Sequence, residues 1–311
     1  MNVGLVGYGE VGRIFTAALV ERKLAWVGAW DVLMRDASAG PAMHEHAANA
    51  GVEAVGSMAA LTAKADVIVS AVTASQAWSV ADEAARTLRP GTWLMDLNSC
   101  SPEAKRRSSE RIDGAGGRYV ESAVMTTVPG YGIGVPMLLG GPHAAAFREL
   151  MAPLGFDMQV ADARIGIASA TKMCRSVMIK GLESLLVESL TTARHYGVED
   201  RVLASLRETF PELDWEKVAS YMIMRTALHG KRRAEEMREV AVTVRDAGLE
   251  PFMASATAER QDWMARQKVP AGFAEVAKDA NWREYADRIV AATSAAASPA
   301  TRPAPRPTAA G

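Results

Sequence analysis

The stretch GIASATKMCRSVMIKGLESLL, residues 166–186, sets Lys172, Arg175 and Lys180 among small and apolar side chains. An amine in such surroundings can take up or release a proton, and a guanidinium can grip a carboxylate with two donors. Met173, Cys174, Val177, Met178, Leu182, Leu185 and Leu186 recur at spacings of three and four, the pattern of a buried helical stripe. At about 100° per residue, Lys172, Ser176, Lys180 and Glu183 fall together on a separate narrow face. That face either meets water or lines a site.

A second group sits at the other end of the chain. In VGLVGYGEVG, Gly7, Gly9 and Gly12 form G-x-G-x-x-G between a strand and a helix, with Tyr8, Glu10 and Val11 between them. Such glycines permit a tight turn, let a pyrophosphate approach the backbone and let helix pack on strand, while the helix N-terminus offers free N–H groups to phosphate. Asp31 follows Gly12 by 19 residues, where a carboxylate can hold the ribose hydroxyls of an adenosine. An acid there repels a 2′-phosphate, which favours NAD, although Arg35 keeps NADP possible. Val72 and Thr73, closing DVIVSAVT, are expected beside the cofactor at the carboxyl edge of the sheet.

These residues need a frame. Up to about residue 163, strand-like runs (3–6, 26–30, 66–72, 92–97, 118–120 and 137–139) alternate with helical patterns. That alternation predicts an α/β Rossmann domain with a doubly wound parallel sheet over 1–163. Residues 164–292 read as an all-helical domain broken at Pro211, Gly230, 248–251 and 270–272, and the Ala/Pro-rich 293–311 as a disordered tail. The 311 residues suffice for two cores, and a formal net charge of −1 offers no broad basic surface for nucleic acid. Two cysteines are too few for a disulfide framework, no run is long enough to span a membrane, and a strand starting at Asn2 leaves no room for a signal sequence. A cytoplasmic protein is expected.

Three further segments follow the glycine motif in order, and together they resemble the β-hydroxyacid dehydrogenase family, which includes 3-hydroxyisobutyrate and 6-phosphogluconate dehydrogenases. DLNSCSP, 96–102, is similar to the family's D-x-S-T-x-x-P segment, with Asn98 and Ser99 in the key places. ESAVMTTVPGYGIGVPMLLGG, 121–141, is similar to D-A-P-V-S-G-G-x-x-G-A-x-x-G-T-L, but Met125-Thr126-Thr127 replaces the Ser-Gly-Gly that usually cradles a substrate carboxylate. The 166–186 stretch resembles G-x-G-x-x-x-K-x-x-N-N, with Lys172 in register and Ala168, Arg175 and Ser176 as departures. KMCRSVMIKGLE followed by HGKRRAEEM marks a branch with a divergent helical domain. The resemblance implies that Lys172 is the catalytic group, that hydride passes between nicotinamide and a small hydroxy acid or related polar alcohol, and that the protein is a homodimer.

A lysine can accept the hydroxyl proton released by oxidation and return it in reduction. Desolvation and the Arg175 cation at i+3 are expected to lower its pKa from the ordinary ~10.4. Asn98 is placed with the cofactor, and Ser99, Thr126, Thr127, Arg175, Ser176, His229 and Arg233 with a substrate expected to be anionic. Arg175 instead pairs with Glu183 or Asp162 if it points away, and Lys180 reads as structural, paired with Glu183 or Glu188. His229, Arg233 and Met237 share a helix face by their spacing of four. His44 and His46 lack a third ligand at metal spacing, so no metal is expected, and Cys174 reads as a small buried thiol. An imine reductase, which shares the architecture, and a non-catalytic NAD-binding module are the competing functions.

Overall fold

The structure, a computed structural model, describes residues 1–277 and 279–297. In chain order the elements are β1 (Asn2–Val6), α1 (Glu10–Glu21), β2 (Trp26–Trp30), α2 (Gly40–Asn49), β3 (Glu53–Ala54), α3 (Met58–Lys64), β4 (Val67–Ser70), α4 (Ala77–Ala85), β5 (Trp93–Asp96), α5 (Pro102–Asp113), β6 (Arg118–Val124), β7 (Met137–Gly140), α6 (Ala144–Met151) and β8 (Met158–Asp162). The helices α7 (Ile167–Tyr196), α8 (Glu199–Thr209), α9 (Trp215–Asp246), α10 (Phe252–Gln267) and α11 (Trp282–Ala297) follow. Two compact units result: residues 1–175 with 239–251, and residues 176–238 with those from 252 onward. The division therefore falls inside α7, after Arg175.

The first unit is built on one sheet in the order β3-β2-β1-β4-β5-β6-β7-β8. The Val, Ile, Leu and Met side chains of β1, β4 and β5 are buried on both faces, as a sheet covered by helices on each side requires. The register Val6↔Ser70↔Asp96 aligns the carboxyl ends of these three neighbouring strands. Gly7, Val72 and Asn98 consequently emerge at one edge of the sheet. The sheet is the expected doubly wound, mostly parallel one, with a single exception: β6 and β7 are antiparallel. The 125–136 connection contains only a short helical turn and cannot carry the crossover that parallel pairing needs. Strand β3, only two residues long, and β8, whose run Phe156-Asp157-Met158-Gln159-Val160 alternates apolar and polar side chains, are additions to the expected set.

The second unit has its own core, including Leu186, Leu190, Leu203, Trp215, Ile223, Phe273, Trp282 and Tyr285. Here α7 follows the expected stripe only in part: Met173 and Leu186 are buried as expected. Ser176, Lys180 and Glu183 are buried, whereas Met178 and Leu185 of the supposed core stripe are 73% and 56% exposed. The burial is made tolerable by ionic partners on other helices. Arg233 Nε donates to Glu183 Oε2 at 2.8 Å, its Nη2 bonds Glu183 Oε1, and Gln261 Nε2 adds a bond of 3.2 Å. Lys180 Nζ lies 3.0 Å from Glu236 Oε2 and 3.0 Å from Ser176 Oγ, a partner different from Glu183 or Glu188. Burial pulls the Lys180 pKa down against the opposing pull of Glu236. The boundary expected at 293 also shifts, since α11 runs to Ala297; residues 298–311 of the expected tail lie outside the described residues.

Candidate active site

The glycine turn has the stereochemistry of a nucleotide loop. Gly7 has φ +95°, and a Cβ on it would lie 2.3 Å from Ala71 O. A Cβ on Gly12 would lie 2.1 Å from Gly7 O, so α1 packs against the turn only because residue 12 has no side chain. Around Gly9 there is open space: nothing stands within 4 Å of an added Cβ. One glycine is thus required by conformation, one by packing, and the middle one by neither, which is the arrangement a close-approaching pyrophosphate needs. Glu10 is exposed in the first turn of α1 and Val11 is half-buried.

Asp31 caps the turn after β2. Its Oδ2 accepts from Tyr8 N at 2.7 Å and its Oδ1 from Leu33 N at 2.9 Å. The carboxylate is therefore held beside the glycine loop, with Val32 and Leu33 exposed next to it. Arg35 is turned elsewhere: its guanidinium stacks 4.6 Å from the Trp30 ring centroid and Nη2 donates to Gly56 O at 2.8 Å. The Tyr8 side chain is fully buried, its hydroxyl 3.0 Å from His46 Nδ1, so only its backbone faces the loop. Burial raises the Tyr8 pKa. His44 Nε2 contacts Met34 O at 3.1 Å, and among the described residues no group of three His, Cys, Asp or Glu is arranged to hold a metal.

At the carboxyl end of β5, Asn98 is 4% exposed and tied on three sides. Its Oδ1 accepts from Val72 N at 2.7 Å, its Nδ2 donates to Ser70 Oγ at 2.9 Å, and its own N donates to Asp96 Oδ1 at 2.9 Å. Asn98 locks the β4 and β5 ends together, and its amide is occupied in doing so. The next residue is turned outward, and Ser99 Oγ accepts from Lys172 Nζ at 2.7 Å. Two motifs 73 residues apart thereby meet at the sheet edge. Thr73 is exposed there, its Oγ1 3.1 Å from Ser75 Oγ.

Three supports of this corner carry no sequence signal that a helix or strand pattern reads. Lys105, on the charged helix α5, is 1% exposed and donates to Asp96 O at 2.9 Å, with Asp96 Oδ1 at 3.0 Å. Tyr119 OH donates to Asp96 Oδ2 at 2.7 Å, and burial followed by the Asp96 charge raises its pKa well above the ordinary value. Ser101 N donates to Glu239 Oε2 at 2.9 Å, which ties the loop to the 239–251 segment of the same unit. Between these groups Cys100 is buried and its thiol is pushed up to about 12, chiefly by desolvation. Cys174, expected to be buried, is exposed.

The other expected substrate residues are distributed as follows. Thr126 and Thr127 are exposed just past β6, and Arg175 is exposed one turn beyond Lys172. Ser176 is buried and bonded to Lys180. Arg233 is 2% exposed with its guanidinium committed to Glu183, whereas His229, one turn before it on α9, is exposed. The spacing of four joined them on one face, but the buried ion pair takes only Arg233 inward.

A mostly parallel sheet with a glycine-rich turn after β1 and an acid after β2 defines the class of Rossmann-type NAD-binding proteins. Residues 2–155 match the NAD binding domain of 6-phosphogluconate dehydrogenase, and residues 193–264 match a domain of unknown function, DUF1932. The chain is 34% identical to a conserved hypothetical protein from Sinorhizobium meliloti 1021, over 94% of this chain and 96% of that one, with a TM-score of 0.75. A Mycobacterium tuberculosis 3-hydroxyisobutyrate dehydrogenase with L-serine has the same fold at 17% identity, covering 93% and 98% of the two chains, TM-score 0.67. A Streptomyces aurantiacus imine reductase also shares it, at 17% identity over 93% and 99%, TM-score 0.54. Residues 2–155 belong to the family of 6-phosphogluconate dehydrogenase-type NAD-binding domains, and the domain of unknown function follows them in the same chain. No helix of the described residues is long and apolar enough to cross a membrane.

Proposed function

We propose that the protein is an NAD-dependent dehydrogenase of a small, anionic hydroxy acid, with Lys172 as general acid/base. The observation that carries this is the 2.7 Å contact of Lys172 Nζ with Ser99 Oγ at the carboxyl edge of the sheet that bears the glycine turn. Gly7, Gly9, Gly12 and Asp31 fit the dinucleotide, and bound NAD supplies the hydride acceptor. Ser99 Oγ orients the substrate hydroxyl, and Lys172 Nζ accepts its proton as the carbonyl forms. In the reverse direction the same ammonium donates to the developing alkoxide. Arg175, exposed one turn on, offers a charged fork to the carboxylate in place of the Ser-Gly-Gly backbone that Met125, Thr126 and Thr127 have replaced. NAD is preferred over NADP because Asp31 is fixed at the loop while Arg35 is drawn to Trp30 and Gly56.

A second copy of the chain is the partner that the exposed apolar Met178 and Leu185 on α7 support. Sedimentation at micromolar concentration should give a dimer, and a monomer throughout would count against it. The experiment for the activity is a panel of hydroxy acids with NAD, run beside ketone plus amine with NADH and followed at the nicotinamide absorbance. Turnover in the first arm alone is expected. Turnover in the second alone would identify an imine reductase, and NAD binding without either would leave a non-catalytic module.

A further inference from the structure

Glu121 lies in β6 between Asp96 of β5 and Gly140 of β7 and is 0% exposed. Its carboxylate is aimed out of the sheet at the start of α7. Oε2 accepts from Gly166 N and Oε1 from Ser169 N, each at 2.6 Å. Ser169 Oγ closes the same turn by donating to Gly166 O at 3.1 Å. The fit is tight, since a Cβ on Gly140 would lie 2.4 Å from Glu121 Oε2, and Gly166 takes φ +100° to present its N–H.

A buried carboxylate held by two backbone N–H groups is a charge-assisted clamp, and a helix N-terminus is the electrostatic complement it requires. Two bonds from one rigid group fix both the height and the rotation of the first turn. Lys172 lies only three residues beyond Ser169, about 4.5 Å along the helix. Whatever sets that turn sets where the Lys172 amine falls relative to Ser99.

We infer that Glu121 is a positioning residue for Lys172, acting through the backbone of α7 rather than by touching substrate or cofactor. The inference rests on the proposed role of Lys172, so its test has one arm that needs no turnover. In Glu121→Gln, one N–H donor would face an amide NH2 instead of an acceptor. Released from Ser99, Lys172 should react with acetic anhydride at least threefold faster relative to Lys64 in the same molecule, read by mass spectrometry. With a substrate in hand, kcat should fall at least tenfold while KM for NAD changes less than twofold, and Glu121→Asp should recover part of the loss. Should Glu121→Gln fail to fold, Ser169→Pro removes one of the two donors at a first-turn position that tolerates proline. A changed labelling rate in a protein that turns over no hydroxy acid would uphold the positioning role and remove the dehydrogenase reading. Unchanged labelling and kcat with a lowered melting temperature would overturn the inference and leave Glu121 as a helix cap.

Discussion

Replacing Gly9 by alanine separates a nucleotide loop from a turn that merely needs glycine. The residue has φ −80° and ψ −157°, extended backbone open to alanine, and an added Cβ meets nothing within 4 Å. Because Gly9 is the N-cap of α1 and alanine caps poorly, the ligand-free protein should lose at most about 1 kcal/mol. The open space is where a pyrophosphate would lie, and a methyl group there should cost binding about 1–3 kcal/mol, the usual range for overpacking. NAD at a hundredfold its Kd stabilises the wild type by about 2.7 kcal/mol. That corresponds to roughly 5–10 °C in Tm for a domain of this size. After a thirtyfold loss of affinity the same concentration leaves about 0.9 kcal/mol, or roughly 2–3 °C. Thermal melts of both proteins with and without NAD measure this directly. A Gly9→Ala protein that keeps the full wild-type increment would refute the placement of the pyrophosphate at this turn.

Further outcomes follow from the charged groups. Lys105→Ala leaves the Asp96 carboxylate in a site where both side chains are at most 3% exposed, and should cost about 3–5 kcal/mol in urea unfolding; under 1 kcal/mol would show that water reaches the pair. Of the two thiols, Cys174 should react with an aromatic disulfide in the native protein and Cys100 only after denaturation, because Cys100 is buried with its pKa at about 12. Glu216 has its pKa lowered first by the hydrogen bond from Arg283, with Trp282 Nε1 adding a bond of 2.8 Å. A depressed carboxyl pKa stabilises fully above the unfolded value of about 4.3 and progressively less as pH falls through the folded one. Tm should therefore hold from pH 7 to 5 and drop below about pH 4, less steeply in Glu216→Gln; identical slopes would sink the assignment.

The parts of this molecule that were legible in the sequence are those whose cause is local. The glycine turn is written in ten residues, and β2 is expected at 26–30, where it occurs, in an apolar run that Asp31 ends. Lys172 and Ser99 were each found from their own segment, and the fold brings them to 2.7 Å. What stayed hidden depends on distant partners. Lys105 belongs to PEAKRRSSERID, a helix that looks wet throughout, and only Asp96 and Tyr119 explain its burial. Glu183 and Arg233 are 50 residues apart, and nothing in either helix announces that they will bury each other. The same blindness hides the second buried face of α7: the charges of Lys180 and Glu183 suggest a solvent or cleft face, and Glu236 and Arg233 on another helix turn it into the interior. The antiparallel direction of β7 is not legible in its four residues, because pairing is set by the connection and not by composition.

The most direct measurement is turnover and NAD affinity in Lys172→Ala, on a hydroxy acid that the wild type oxidises. Removing the amine that contacts Ser99 should lower kcat by about 10²–10⁴, the usual worth of a positioned acid/base, while the Kd for NAD stays within twofold. Wild-type turnover in Lys172→Ala with NAD still bound would contradict the proposal that this lysine moves the proton.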